Sequence, residues 1–240
     1  MHSYLWTRML LLAPRSRDAM MMDLHVHSAY SVDTDVEIKD ILKMAKKRNL
    51  KGLAIADHNV IDGSLEAYEL AKGMEDFVVL RAVEISSSEG HIIGYGLSKL
   101  IKRDMTPQET VDAIKRGGGV PVVPHPYRFW SGVGEKVVLE TEFSAIEGLN
   151  ARSTKGSNEK AIALAEKLEL GVTGGSDAHK VDDIGTGVTV FETNVETEED
   201  ALEEILKRRT KVDGRSRPAG SPKYVAKTVS EWFGRGMKRI

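Results

Sequence analysis

Six of the seven histidines in the chain fall where a strand is expected to end or a loop to begin, and most have a carboxylate close by in sequence. His25 and His27 lie in Asp-Leu-His-Val-His, His58 in Ala-Asp-His-Asn and His91 in Glu-Gly-His-Ile-Ile-Gly. His125 sits in Val-Pro-His-Pro and His179 in Ser-Asp-Ala-His; only His2 stands apart. Imidazoles grouped with carboxylates are the donor set of borderline divalent cations such as Zn²⁺, Mn²⁺ and Fe²⁺. The pattern points to a multinuclear metal site of the kind hydrolases use.

Each ligand candidate has its own rationale. His25 and His27 are two apart on an expected strand, so their side chains share a face. Asp23 precedes them on that face and is placed to orient an imidazole, while Asp33 in the following loop offers a further carboxylate. Asp57 and His58 end the second strand on opposite faces; His58 is taken as the ligand and Asp57 as the residue that positions it or a water. Glu84 ends an apolar run, where a buried carboxylate is costly unless paired or metal-bound, and its two oxygens suit a bridge between cations. A tight turn over 86–90 would face His91 back toward Glu84. His125 is held between Pro124 and Pro126, which limit the backbone there. The Gly-Gly-Ser-Asp-Ala-His run supplies Asp177 and His179, with Ser176 beside them. The nine ligands His25, His27, Asp33, His58, Glu84, His91, His125, Asp177 and His179 suit three cations.

These residues need a scaffold that brings distant strand ends together. Short apolar runs over 22–25, 51–56, 77–83, 91–95, 120–123, 145–149, 171–173 and 187–191 read as strands buried on both faces. Helices are expected over 37–48, 65–73, 107–115, 158–168 and 197–208, with Ser157 as the N-cap of the fourth. Repeated strand–helix units imply parallel strands and right-handed crossovers. Seven or eight strands in about two hundred residues fit a distorted (β/α)7 TIM-like barrel with the metal site at the C-terminal ends of the strands. An open doubly wound sheet is the structural alternative.

The chain is 41% hydrophobic and 29% charged, with a net charge of −2, so composition gives no global attraction to nucleic acid or membranes. With no cysteine, disulfides and thiolate ligands are excluded, which is compatible with a cytoplasmic location. The apolar run at 9–13 is too short for a signal-peptide core or a membrane span. Residues 1–20 read as an extension, with start-site choice as its origin, followed by a barrel over 21–209. From Lys207 onward eleven Lys/Arg face only Asp213 and Glu231, a local balance of 11 − 2 = +9. Residues 210–240 read as a basic loop and a helix over 223–233 packing on the barrel; a nucleic-acid contact strip is the sharper alternative.

Asp23-Leu-His-Val-His-Ser, Asp57-His58, Glu84 with His91, His125-Pro126 and Ser176-Asp-Ala-His179 together resemble the motifs of the PHP (polymerase and histidinol phosphatase) family, in order and over about residues 21–195. The resemblance implies a distorted seven-stranded barrel, a trinuclear site and phosphoesterase activity. It implies one cation at His25, His27, Glu84 and Asp177, a second at Glu84, His91 and His125, and a third at Asp33, His58 and His179. Related nucleotide-processing members carry a long insertion between the positions of His91 and His125, where this chain has only residues 92–124.

The expected chemistry is hydrolysis of a phosphate mono- or diester by a metal-bridging hydroxide. Glu84 bridges, and Asp177 or a histidine such as His179 protonates the leaving oxygen. Arg152 and Lys155, then Arg128, are the candidates for phosphate contact. The expected partner is a small-molecule phosphate ester or a nucleotide, with no membrane partner. Two other readings stand: nuclease or 3′-end processing activity, and a metal-stabilised binding or regulatory module without turnover. A C–N hydrolase of amidohydrolase type lacks a lysine placed to form a carbamate bridge.

Overall fold

The computed structural model describes residues 20–218. Its elements run β1 (Met20–Val26), α1 (Ile38–Lys47), β2 (Gly52–Ile55), α2 (Asp62–Ala71), β3 (Val78–Ser86), β4 (His91–Tyr95), α3 (Pro107–Arg116) and β5 (Val120–Val123). They continue with α4 (Gly134–Glu140), β6 (Ala145–Asn150), α5 (Lys155–Leu168), β7 (Gly171–Gly175), β8 (Gly187–Phe191), α6 (Glu198–Leu206) and β9 (Thr210–Gly214). The strands form one sheet in the order β7-β6-β5-β4-β3-β2-β1-β8-β9.

The sheet curls into a nearly closed barrel. At the top of β1, the His27 N–H donates to Ala178 O (3.1 Å) and the Asp177 N–H to His25 O (2.7 Å), joining β1 to the exit of β7. Lower down, β8 pairs with β1 over Met20–Met22, and the Thr189 hydroxyl spans the remaining gap to the Gly174 backbone. Not every strand is parallel, as the strand–helix reading expected. The four-residue turn 87–90 is too short for a crossover, so β3 and β4 form an antiparallel hairpin, and β4 pairs antiparallel with β5 as well. β8 and β9 are likewise antiparallel additions.

Alternation explains the core and the site together. Inward residues Met20, Met22 and Leu24 of β1, Ala54 of β2, Leu80 and Ala82 of β3, Ile93 and Tyr95 of β4, and Val122 of β5 make one apolar cluster, closed below by Ala201 and Ile205 of α6. Following the same period of two, the next inward positions toward the top are Glu84 and, on antiparallel β4, its first residue His91. The interior thus changes from hydrocarbon to imidazole and carboxylate along the barrel axis. α1 and α2 cover one outer face, and α3, α4 and α5 the other.

Several boundaries differ from the sequence reading. The cap of α5 is Thr154, whose side chain accepts from the Ser157 N–H, and not Ser157 itself. Two-turn α4 is too short to show a period. The first strand starts at Met20, one residue inside the expected extension, and 210–214, expected as the start of the basic tail, forms edge strand β9. Residues 1–19 and the expected helix 223–233 lie outside the described residues.

Gly175 has no room for a side chain, because an added Cβ would overlap His25 Cβ and crowd its backbone. Gly175→Ala should therefore overpack the β1–β7 closure, at about 1–3 kcal/mol. Urea unfolding should show a lower midpoint at unchanged slope; an unchanged midpoint would mean that the closure yields freely.

Candidate metal centre

The site lies at the top of the barrel around Glu84, which is 1% exposed at the end of β3. Its Oε1 is 3.0 Å from His91 Nδ1 and 2.9 Å from His125 Nε2. Its Oε2 is 3.1 Å from His58 Nδ1 and 3.5 Å from both His25 Nε2 and His27 Nε2. One carboxylate therefore touches five imidazoles. On the outer side, His179 Nε2 lies 2.6 Å and His58 Nε2 3.6 Å from Asp33 Oδ2.

Donor atoms gather in overlapping sets, all within 4.8 Å in each: His27, Asp33, His58 and His179; His25, His27 and Glu84; His58, Glu84 and His91; His25, His125 and Asp177. All nine predicted ligands are thus brought together. Buried Nδ1 atoms of His27 and His125 have no hydrogen-bond partner among the described residues, and His58 Nδ1 meets Glu84 Oε2 as an ion contact without hydrogen-bond geometry. Nε2 of His25 and of His27 face each other at 3.1 Å, so one of them must present a lone pair. Such donors, mutually crowded and under-partnered, fit divalent cations well.

Electrostatics agree. Burial pushes His27 down to about 3, and burial with the Arg128 charge does the same to His125, so both are neutral at pH 7, the form in which an imidazole can bind a cation. Burial alone would raise Glu84, but the charges of His91, His58 and His25 hold it well below the usual carboxylate range. Burial likewise opposes ionisation of Asp177, and Arg128 and Arg152 override it.

Irregular backbone sets these side chains. In β1 the register with β2 shifts between Asp23 and Val26, one extra residue on β1, so His25 and His27 face the mouth while Val26 packs outward. The same bulge removes Asp23 from their face. The Asp23 carboxylate, expected to orient an imidazole, instead accepts from the backbone N–H groups of Ser176 (2.8 Å), Gly185 (2.6 Å) and His25 (3.3 Å), anchoring the loop after β7. Burial raises it to about 6. The Ser176 hydroxyl donates to His25 O at 3.4 Å. Asp57 accepts from the Ser28 N–H and hydroxyl, both at 2.6 Å, and so pins the loop that leads to Asp33. Burial pushes it up to about 7.

The carboxylate behind His25 is Glu147 of β6, which the sequence reading missed. Its Oε1 is 2.9 Å from His25 Nδ1, and its Oε2 accepts from the His125 N–H (2.9 Å) and the Asn150 amide (3.0 Å). A bulge between Glu147 and Leu149 lets Glu147 and Asn150, three apart, share the inner face. Strict alternation would separate them, so only the Gly148 beside Glu147 hinted at the arrangement. His125 and Asp177 both adopt left-handed backbone (φ 30° and 53°), which costs an L-residue about 1–2 kcal/mol. Glu147 offsets part of this at His125, and the bond to His25 O does so at Asp177.

Of the predicted phosphate contacts, two reach the centre. Arg128 Nη2 lies 2.7 Å from Asp177 Oδ2 and donates to Asn150 Oδ1 at 2.6 Å. Arg152 Nη1 lies 3.2 Å from Asp177 Oδ1 and 2.6 Å from His179 Nδ1. Lys155 instead extends from the first turn of α5, its side chain 80% exposed, with Glu159 at 3.7 Å.

A barrel of this kind with a His/Asp/Glu centre is the architecture of metal-dependent phosphoesterases, and the family model described as PHP domain matches residues 23–171. The chain belongs to that family. The PHP-associated model matches residues 155–210 in addition. An uncharacterized protein of Methanocaldococcus jannaschii is 35% identical over 148 residues, 57% of this chain and 85% of that protein. A two-domain protein from Bacteroides vulgatus, described as containing a predicted PHP-like metal-dependent phosphoesterase, superposes with a TM-score of 0.68 at 18% identity, over 82% of this chain and 65% of that one. The lesion-specific endonuclease PfuEndoQ of Pyrococcus furiosus superposes with a TM-score of 0.60 at 16% identity, over 81% of this chain and 57% of that one. At these identities the two structures share the fold, and this chain spans about two thirds or less of each. No helix among the described residues is long and apolar enough to cross a membrane.

Glu147→Gln keeps the shape but loses the charge behind His25 and one acceptor geometry. Metal affinity, measured by competition with a chelating dye, should fall about 10- to 100-fold. Unchanged affinity would show that Glu147 only packs.

Proposed function

We propose that the chain hydrolyses a phosphate mono- or diester with three divalent cations, of the Mn²⁺, Zn²⁺ or Fe²⁺ class. The observation that carries this reading is Glu84, whose two oxygens are shared among five imidazoles, with Asp177 and Asp33 at either side. His25, His27, Glu84 and Asp177 would hold one cation, Glu84, His91 and His125 a second, and Asp33, His58 and His179 a third. Bound there, the cations would lower the pKa of a water and neutralise phosphate charge.

The remaining work falls to the chain's own groups. Arg128 and Arg152, with side chains 20% and 33% exposed, reach from buried Asp177 toward solvent and would set guanidinium charge beside a bound phosphate. Between two guanidiniums Asp177 stays ionised, which makes it a ligand and not the proton donor. His179 closes the outer side of the site, its Nε2 against Asp33 Oδ2 and its Nδ1 against the Arg152 guanidinium, beside where the leaving oxygen would depart. Lys155 has no part in this scheme.

The substrate is a small phosphate ester or a nucleotide. Nuclease action on a strand is the second reading, favoured by the shared fold with a lesion-specific endonuclease. Mn²⁺-supplemented hydrolysis of sugar phosphates, nucleotides, bisnucleotides, histidinol phosphate and short oligonucleotides tests both. Turnover should fall at least about 100-fold in His125→Ala and in Asp177→Ala, the scale on which losing a catalytic electrostatic group acts. Turnover confined to oligonucleotides, with steep salt dependence, would favour the nuclease. A metal-loaded chain inert on every ester would instead be a binding or regulatory module.

A further inference from the structure

The loop from His125 to Gly134, which leaves the centre at His125 and Arg128, carries two large exposed aromatic side chains. Phe129 is 85% exposed and Trp130 37% exposed, and their rings meet edge to face at 4.7 Å between centroids and 89° between planes. They follow Arg128, the residue paired with Asp177. Their exposure is imposed by a firmly tied loop. Arg128 N–H donates to His125 O (2.9 Å), Gly132 N–H to Arg128 O (2.9 Å), Gly134 N–H to Pro126 O (3.0 Å) and His91 N–H to Ser131 O (2.9 Å). A Cβ on Gly132 would collide with the carbonyls of His125, Pro126 and Arg128, so only glycine allows this turn. The loop is tied to two strands that carry ligands, yet holds a phenyl ring in water.

An exposed phenyl ring gains nothing for folding, since its apolar surface stays hydrated. Aromatic side chains that follow an arginine directed at the centre are, in contrast, a ready surface for a flat π-system, because bases stack on aromatic side chains without regard to sequence. We infer that Arg128, Phe129 and Trp130 form a subsite for the nucleobase of the substrate, with Arg128 at the phosphate side and the two rings stacking the base. The inference rests on the phosphoesterase reading for the phosphate, but the base contact itself needs no turnover. The base belongs either to a free nucleotide or to one residue of a single strand.

The test separates these points. Adenosine carries no ester, so its binding, read by saturation-transfer NMR, is independent of hydrolysis. Transfer from the protein to adenine protons should be clear in the wild type and lost in Phe129→Ala and Trp130→Ala. It should be retained in Phe129→Tyr and lost in Phe129→Leu, which keeps apolar bulk without a ring face. In steady-state kinetics the Ala variants should raise KM for adenosine 5′-monophosphate roughly tenfold, the scale of one stacked base. KM for ribose 5-phosphate should move far less. If hexadeoxyadenylate binds much more tightly than the mononucleotide, the base comes from a strand; equal or weaker binding assigns it to a free nucleotide. Absence of adenosine contact, or equal losses for adenosine 5′-monophosphate and ribose 5-phosphate, overturns the subsite while leaving the phosphoesterase reading intact. Adenosine contact without turnover of any ester keeps the subsite and overturns that reading.

Discussion

Everything at the top of this barrel depends on one buried carboxylate. Glu84 is removed from water at the end of β3, and an ionised carboxylate there is affordable only against fixed positive charge or strong donors. Five imidazoles converge on it from β1, the β2 exit, β4 and the β5 exit. His27 and His125 are held neutral largely by burial and so offer lone pairs, while His91, His58 and His25 favour an ionised Glu84 and Arg128 and Arg152 an ionised Asp177. Divalent cations bound among these donors would add positive charge beside all three carboxylates. The apolar lower barrel makes the burial of these charges costly, because it lines the floor of the site with hydrocarbon.

The carboxylates divide by what they face. Glu84, Asp177 and Asp33 look into the centre. Glu147 stands behind it and links the ring of His25 to the backbone of His125, coupling β6 to β1 and β5. Asp23 and Asp57 give their oxygens to backbone groups and a serine hydroxyl, and fix the loops that carry Asp177 and Asp33. Their burial raises both pKa values, the expected response of acids whose hydrogen bonds only partly replace water.

Much of this was legible in the sequence because the barrel obeys simple periods. Glu84 and His91 follow the alternation of the apolar residues before or after them, and residue type together with strand-end position singled out the nine residues that gather there. What escaped was governed by departures from the period. The β1 bulge rotates Asp23 away from His25 and His27, so an acid on the same face in the sequence is on the other in the fold. The Gly148 bulge hid Glu147 and Asn150 in an ordinary apolar strand. Antiparallel β4 is contained in the four-residue turn before His91, whereas edge strand β9, with Lys211 and Asp213 among its residues, has no apolar run to announce it. Lys155 shows the converse: a cation next to the right loop in sequence, but carried off by the helix it starts.

The claim that the rest follows from is that Glu84 is a shared ligand. Metal content by inductively coupled plasma mass spectrometry, on wild type and Glu84→Gln purified without chelator, measures it directly. The account predicts close to three equivalents of divalent metal in the wild type, and loss of more than one equivalent from a Glu84→Gln chain that remains folded by circular dichroism. Fewer than one equivalent in the wild type, or the same content in both, would contradict it.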